Sequence, residues 1–122
     1  MKRILIVDDA ATVRMYHRSI LASAGYEVHE AMNGIEALEK CLLTPCDLYV
    51  VDINMPKLDG YAFISQLRLE QVPQAPVIMV STESASRDEL KAYRAGANSY
   101  FYKPVNAVRL LIYVRLLLGV RA

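Results

Sequence analysis

Three aspartates stand directly after short apolar runs. Asp8 and Asp9 follow residues 4–7, and Asp52 follows residues 48–51. Ser81 and Thr82 come after residues 77–80, and Lys103-Pro104 comes after residues 99–102. Singly, each is an ordinary loop residue. Brought together, they make three carboxylates, one or two hydroxyls and one ammonium. Like charges so clustered cost free energy unless something compensates them. A hard divalent cation does so, and an all-oxygen donor set that leaves room for waters suits Mg²⁺.

What would bring them together is the organisation of the chain. Residues 4–7, 26–31, 48–51, 77–80 and 99–102 are short runs, mostly apolar on both faces, as in strands of a parallel sheet covered on both sides. Helical periodicity fills the gaps. Val13, Tyr16, Ile20 and Ala24 form one stripe, ended by Gly25; Ile35, Leu38 and Leu42 form a second, stopped before Pro45. Phe63, Ile64 and Leu67 mark a third helix from Gly60 to about Glu70. Leu90, Tyr93 and Ala97 mark a fourth, capped by Ser86, and Asn106 caps a fifth that runs to Gly119. Five strands and five helices in strict alternation predict a doubly wound α/β domain with right-handed crossovers. In such sheets ligands sit at the carboxyl ends of the strands, where the chemistry-bearing residues stand.

Composition sets the outer limits. The chain has 122 residues, 54% of them hydrophobic and 22% charged, which suits one domain spanning 1–122 and excludes disorder. There is no apolar run of about 20 residues and no signal peptide, which points to the cytoplasm and to no membrane partner. Cys41 and Cys46 have no metal-ligand spacing and read as two reduced thiols. Residues 1–86 carry seven basic and eleven acidic residues, and residues 87–122 carry seven and two. That basic third could steer an acidic partner, but it is too sparse for a nucleic-acid footprint.

The runs Ile4-Leu5-Ile6-Val7-Asp8-Asp9 and Val50-Val51-Asp52-Ile53-Asn54-Met55-Pro56-Lys57-Leu58-Asp59-Gly60, residues 76–81, and Lys103-Pro104 together resemble a two-component response-regulator receiver domain. The stand-alone, CheY-like members are the nearest in kind. The resemblance spans nearly the whole chain. It implies a flavodoxin-like sheet of strand order 2-1-3-4-5. It implies that Asp52 accepts a phosphoryl group from a sensor histidine kinase or phosphotransfer protein, and that Mg²⁺ is held by Asp8, Asp9, Asp52 and the Asn54 backbone carbonyl. Lys103, Ser81, Thr82 and Tyr100 would be the catalytic and switch residues, and the Pro104 peptide bond would be cis. The domain would regulate by protein contact rather than as an enzyme. Three rival readings are a phosphate sink without output, a flavin-binding flavodoxin-like module, which would need a phosphate-cradling loop where Asp8-Asp9 stand, and a small Mg²⁺-dependent phosphatase. The phosphatase class carries Asp-x-Asp-x-Thr after its first strand, whereas here Asp8-Asp9 precede Ala10-Ala11.

Further expectations follow by position. Thr82 stands where the family often has Ala or Gly, Val105 where it often has Phe, and Asn54 and Glu83 would flank the hydrolytic water. The kinase would dock on Ala10, Thr12, Arg14, Met15 and Val105. His17 and His29 are expected at the surface or its boundary, far from the acidic edge. The last helix carries nine apolar residues between positions 108 and 118, interrupted by Arg109 and Arg115. One stripe cannot bury them all. Ile112 and Leu116 are therefore expected on a contact face of helix 4, strand 5 and helix 5, for a target or a second copy.

Overall fold

The computed structural model describes residues 1–82 and 86–119. Ten elements alternate along the chain. They are β1 (Arg3–Val7), α1 (Ala11–Ser23), β2 (Glu27–Ala31), α2 (Gly34–Leu43), β3 (Leu48–Asp52), α3 (Gly60–Leu69), β4 (Val77–Ser81), α4 (Ser86–Ala95), β5 (Ser99–Tyr102) and α5 (Ala107–Leu118). The strands form one parallel sheet in the order β2-β1-β3-β4-β5. The doubly wound α/β fold is therefore present. Among the described residues no helix is long and apolar enough to cross a membrane.

Strand alternation divides the core in two. Leu5, Val7, Tyr49, Val51, Val77 and Met79 face α2, α3 and α4. Ile4, Ile6, Leu48, Val50, Ile78 and Val80 face α1 and α5. With both faces covered, the strands read as continuous apolar runs. β3 and β4 each extend one residue beyond the apolar run, so Asp52 and Ser81 lie within the ladder.

The helices carry local start and stop signals. Asn33 Oδ1 accepts from the Glu36 amide at 2.8 Å, Asp59 Oδ1 from Ala62 at 2.8 Å, and Asn106 Oδ1 from Arg109 at 3.0 Å. Each side chain satisfies an amide that the first turn leaves without a partner. Gly119 ends α5 in the left-handed conformation. The Glu83 residue and the side chain of Ser86, the expected cap, lie outside what is described.

Three helices are rotated from the expected phase. α1 buries His17 and Leu21 and leaves Tyr16 45% exposed. α2 buries Ala37 and Cys41, while Ile35 and Leu42 face outward. α4 buries Ala92 and turns Leu90 and Tyr93 to solvent. Small residues let a helix approach the sheet closely. Periodicity alone cannot choose between two adjacent apolar stripes. Cys41 and Cys46 are free and buried, and burial pushes the Cys46 thiol up to about 11.

Opposite the acidic edge, Arg68 ties the amino ends of β4 and β5 to α3. Its guanidinium donates to the carbonyls of Ala75 at 2.7 Å and Gly96 at 2.8 Å, and to Gln74 Oε1 at 3.0 Å and Asn98 Oδ1 at 3.2 Å. The planar fork reaches several acceptors at once, which an ammonium cannot do. Arg68→Lys is expected to lower stability by about 2 kcal/mol in urea titration. An unchanged midpoint would show that solvent satisfies those acceptors equally well.

Candidate phosphoryl-transfer and metal site

Strand order decides which chain segments meet. β1 and β3 are neighbours, with Val7 opposite Val51; β3 and β4 place Asp52 opposite Val80; β4 and β5 place Ser81 opposite Tyr102. Asp8, Asp52, Ser81 and Lys103 consequently share one sheet edge. Asp8 is 1% exposed, Asp52 6% and Ser81 fully buried, while Asp9 and Thr82 are open to solvent.

Lys103 is the centre of the cluster. Its Nζ donates to Asp8 Oδ2 at 2.8 Å and to Asp52 Oδ1 at 3.0 Å. Its backbone amide donates to the Ser81 carbonyl at 2.8 Å, and the Lys103–Pro104 peptide bond is cis. Asp8 is held from several sides. Its Oδ1 accepts from the Ala10 amide at 2.9 Å, and its carbonyl accepts from Arg14 at 2.7 Å. Arg14 and Arg18 are in turn held by Glu30, at 2.9 and 2.6 Å.

The loop after Asp52 is closely packed. The Gly60 amide donates to the Ile53 carbonyl at 2.8 Å. A Cβ at Gly60 would stand 2.1 Å from the Asp52 carbonyl oxygen, so only glycine fits there. Lys57 has φ +70° and lies under a hydrogen bond from the Leu58 amide to the Pro56 carbonyl at 2.8 Å. That geometry is a strained γ-turn in the loop that follows Asp52.

The electrostatics follow from burial and neighbours. Burial pushes the Asp52 carboxyl above its ordinary value; the Lys103 hydrogen bond opposes this, and the charges of Asp8 and Asp9 add to it. Burial works against the Lys103 charge, but hydrogen bonds to Asp8 and Asp52 outweigh it and raise the ammonium. One carboxylate oxygen from each of Asp8, Asp9 and Asp52 lies within 4.8 Å of the others. This set of oxygens alone fits a hard divalent cation.

Several expected positions gather here and others do not. Asn54 is exposed on the loop two residues after Asp52. Tyr100 is 7% exposed, packed edge-on against Tyr102 at 5.6 Å, and the Tyr102 hydroxyl reaches Glu89 at 3.1 Å. On α5, Leu110 and Val114 point inward while Val108, Ile112 and Leu116 are 67%, 46% and 71% exposed. Arg115 is exposed, and Arg109 lies over the rings of Phe101 and Tyr113.

Two expectations need correction. Val105 is 3% exposed, and the Arg14 side chain is only 14% exposed, with Nε and Nη1 both bonded. Neither is a free docking residue, because Val105 packs in the core on the side of α1 and α5 and Arg14 is bonded to Glu30 and the Asp8 carbonyl. His17 is not at the surface: it is 1% exposed, and it shares a cavity of about 410 Å³ with Lys103. The buried stripe of α1 lies one position beyond the apolar stripe of Tyr16 and Ile20, so local pattern places His17 at the surface. His29 does lie exposed, near Glu27 at 2.9 Å.

Comparison with known proteins agrees with this geometry. The family model described as "Response regulator receiver domain" matches residues 4–115. The chemotaxis protein CheY of Thermotoga maritima is 39% identical over 111 residues, covering 90% of this chain and 92% of that protein. A protein-glutamate methylesterase/protein-glutamine glutaminase of Archaeoglobus fulgidus is 43% identical over 109 residues, which cover 87% of this chain. The chain spans only 31% of that relative's length. The solved receiver domain of a signal transduction histidine kinase from Syntrophus aciditrophicus superposes with a TM-score of 0.90 at 35% identity, covering 99% of this chain and 93% of that one. With its fold, its acidic edge and this match over nearly its full length, the chain belongs to the response regulator receiver domain family.

Proposed function

We propose that residues 1–122 act as one receiver unit of a two-component phosphorelay, with Asp52 as phosphoacceptor. The observation that carries this reading is the Lys103 ammonium bonded to both Asp8 and Asp52, with Asp9 alongside. A buried carboxylate beside a fixed cation is a nucleophile held ready at one point. An Asp52 oxygen attacks phosphorus on a phosphohistidine of a kinase or phosphotransfer protein. The P–O bond forms as the P–N bond breaks, and the imidazole leaves with the electron pair. Lys103 then pairs with a phosphoryl oxygen, and the Ser81 hydroxyl donates to another. Asp8, Asp9, Asp52 and the Asn54 carbonyl would hold Mg²⁺, which would supply the neutralisation that three carboxylates and a phosphoryl group need.

The output reading is contact through α4, β5 and α5, in the cytoplasm. The exposed Val108, Ile112 and Leu116 support it over a sink without output. Thr82, at the mouth of the site, sets access for donors and water.

The test is labelling by phosphoramidate with Mg²⁺, read by mass spectrometry. The parent is expected to gain one phosphoryl group, and Asp52→Asn and metal-free samples to gain none. An Asp52→Asn protein that labels as well as the parent rejects the assignment.

A further inference from the structure

A histidine on the buried face of α1 is costly where a leucine would pack. His17 is 1% exposed, and its Nδ1 has no hydrogen-bond partner. A buried polar atom left so requires an explanation. Its surroundings offer one. The ring shares the wall of a cavity with Lys103, and Thr12, Val13, Tyr16, Thr82 and Pro104 make up the rest of that wall. The Tyr16 hydroxyl is already committed to the Val105 carbonyl at 2.9 Å. Lys103 has three N–H bonds and gives two of them to Asp8 and Asp52. One wall thus holds a spare donor and a spare acceptor.

Burial, first, lowers the basicity of the His17 ring; Asp8 opposes this and Lys103 adds to it. The ring is therefore neutral. An unpartnered lone pair costs less than an unpartnered N–H, so the proton belongs on Nε2 and Nδ1 is the acceptor.

We propose that His17 is a positioning residue for phosphoryl acceptance, its neutral imidazole giving the Lys103 ammonium a polar wall that keeps it over Asp8 and Asp52. With an apolar side chain at position 17, that part of the wall offers the ammonium no polar neighbour, and the head is drawn toward open water, as long cationic side chains are. The inference rests on the phosphoacceptor reading for its consequence in transfer, but not for its effect on Lys103.

Two readouts separate them. Brief competitive acetylation with acetic anhydride, without metal or phosphodonor, reads how firmly Lys103 is held. His17→Leu is expected to raise the Lys103 acetylation rate severalfold, while His17→Asn, which retains a polar group at that position, stays near the parent. In phosphoramidate labelling, His17→Leu is expected to be about fivefold slower and His17→Asn close to the parent. Melting should show His17→Leu at least as stable as the parent, since the unpartnered nitrogen is gone. Equal Lys103 acetylation in parent and His17→Leu overturns the inference, as does equal slowing by Leu and Asn. If the parent fails to label at Asp52 while the acetylation difference stands, the phosphoacceptor reading has failed and the positioning of Lys103 has not.

Discussion

Lys103→Met is expected to lower the stability of the metal-free protein by about 3–5 kcal/mol, the range for removing one partner of a buried ion pair. Asp8 and Asp52 are 1% and 6% exposed, and the Lys103 ammonium is bonded to both. Removing it leaves two adjacent carboxylates in a poorly solvated site. Mg²⁺ should restore much of the loss, because a cation bound only by the folded site adds RT ln(1 + [L]/Kd). The pH dependence has a definite sign. The Asp52 carboxyl is raised in the folded state, so the native protein holds its proton longer than the unfolded chain does. Stability therefore falls as pH rises from about 4 through the folded value, and falls further in the variant, which lacks the opposing lysine. The Lys103 ammonium is raised as well, so its contribution is fully present below about 10.5 and is lost above the folded value. Urea titrations at several pH values, with and without Mg²⁺, measure all of this. A Lys103→Met protein as stable as the parent without metal would mean that water reaches the pair and screens it.

Gly60→Ala should be nearly as damaging, from one added methyl group. The new carbon would meet the Asp52 carbonyl oxygen at 2.1 Å and its carbonyl carbon at 3.0 Å. Neither is the end of a flexible side chain, so the backbone of β3 or the start of α3 must move. Overpacking of this kind costs about 3 kcal/mol, or a fall in melting temperature of roughly 10 °C for a domain of this size. The displaced backbone is that of Asp52 itself, so labelling by phosphoramidate should fall more than stability explains. A variant with parental melting and labelling would show that α3 slides freely along the sheet. That outcome conflicts with the Gly60 amide bond to Ile53 and with the Asp59 cap.

The alternation of elements, the caps at Asn33, Asp59 and Asn106, and the stop at Gly119 rest on nearby residues, so short-range pattern can reveal them. Of these, sequence pattern gives the alternation, the Asn106 cap and the Gly119 stop, and the structure adds the caps at Asn33 and Asp59. The acid, hydroxyl and lysine positions were legible too. Each ends an apolar run, and the parallel topology brings such ends to one edge. Tertiary structure alone decided the rest. Residues 95 and 51 apart in the chain meet at the Lys103 ammonium. Which stripe turns inward was settled by packing: α2 and α4 turn the small Ala37 and Ala92 toward the sheet, whereas α1 turns in His17 and Leu21. The same rotation buried His17 and engaged Arg14, two residues that local pattern left at the surface. A helix's periodicity gives its stripes, but the side chains of the sheet beneath choose among them. That choice is a property of many distant residues at once.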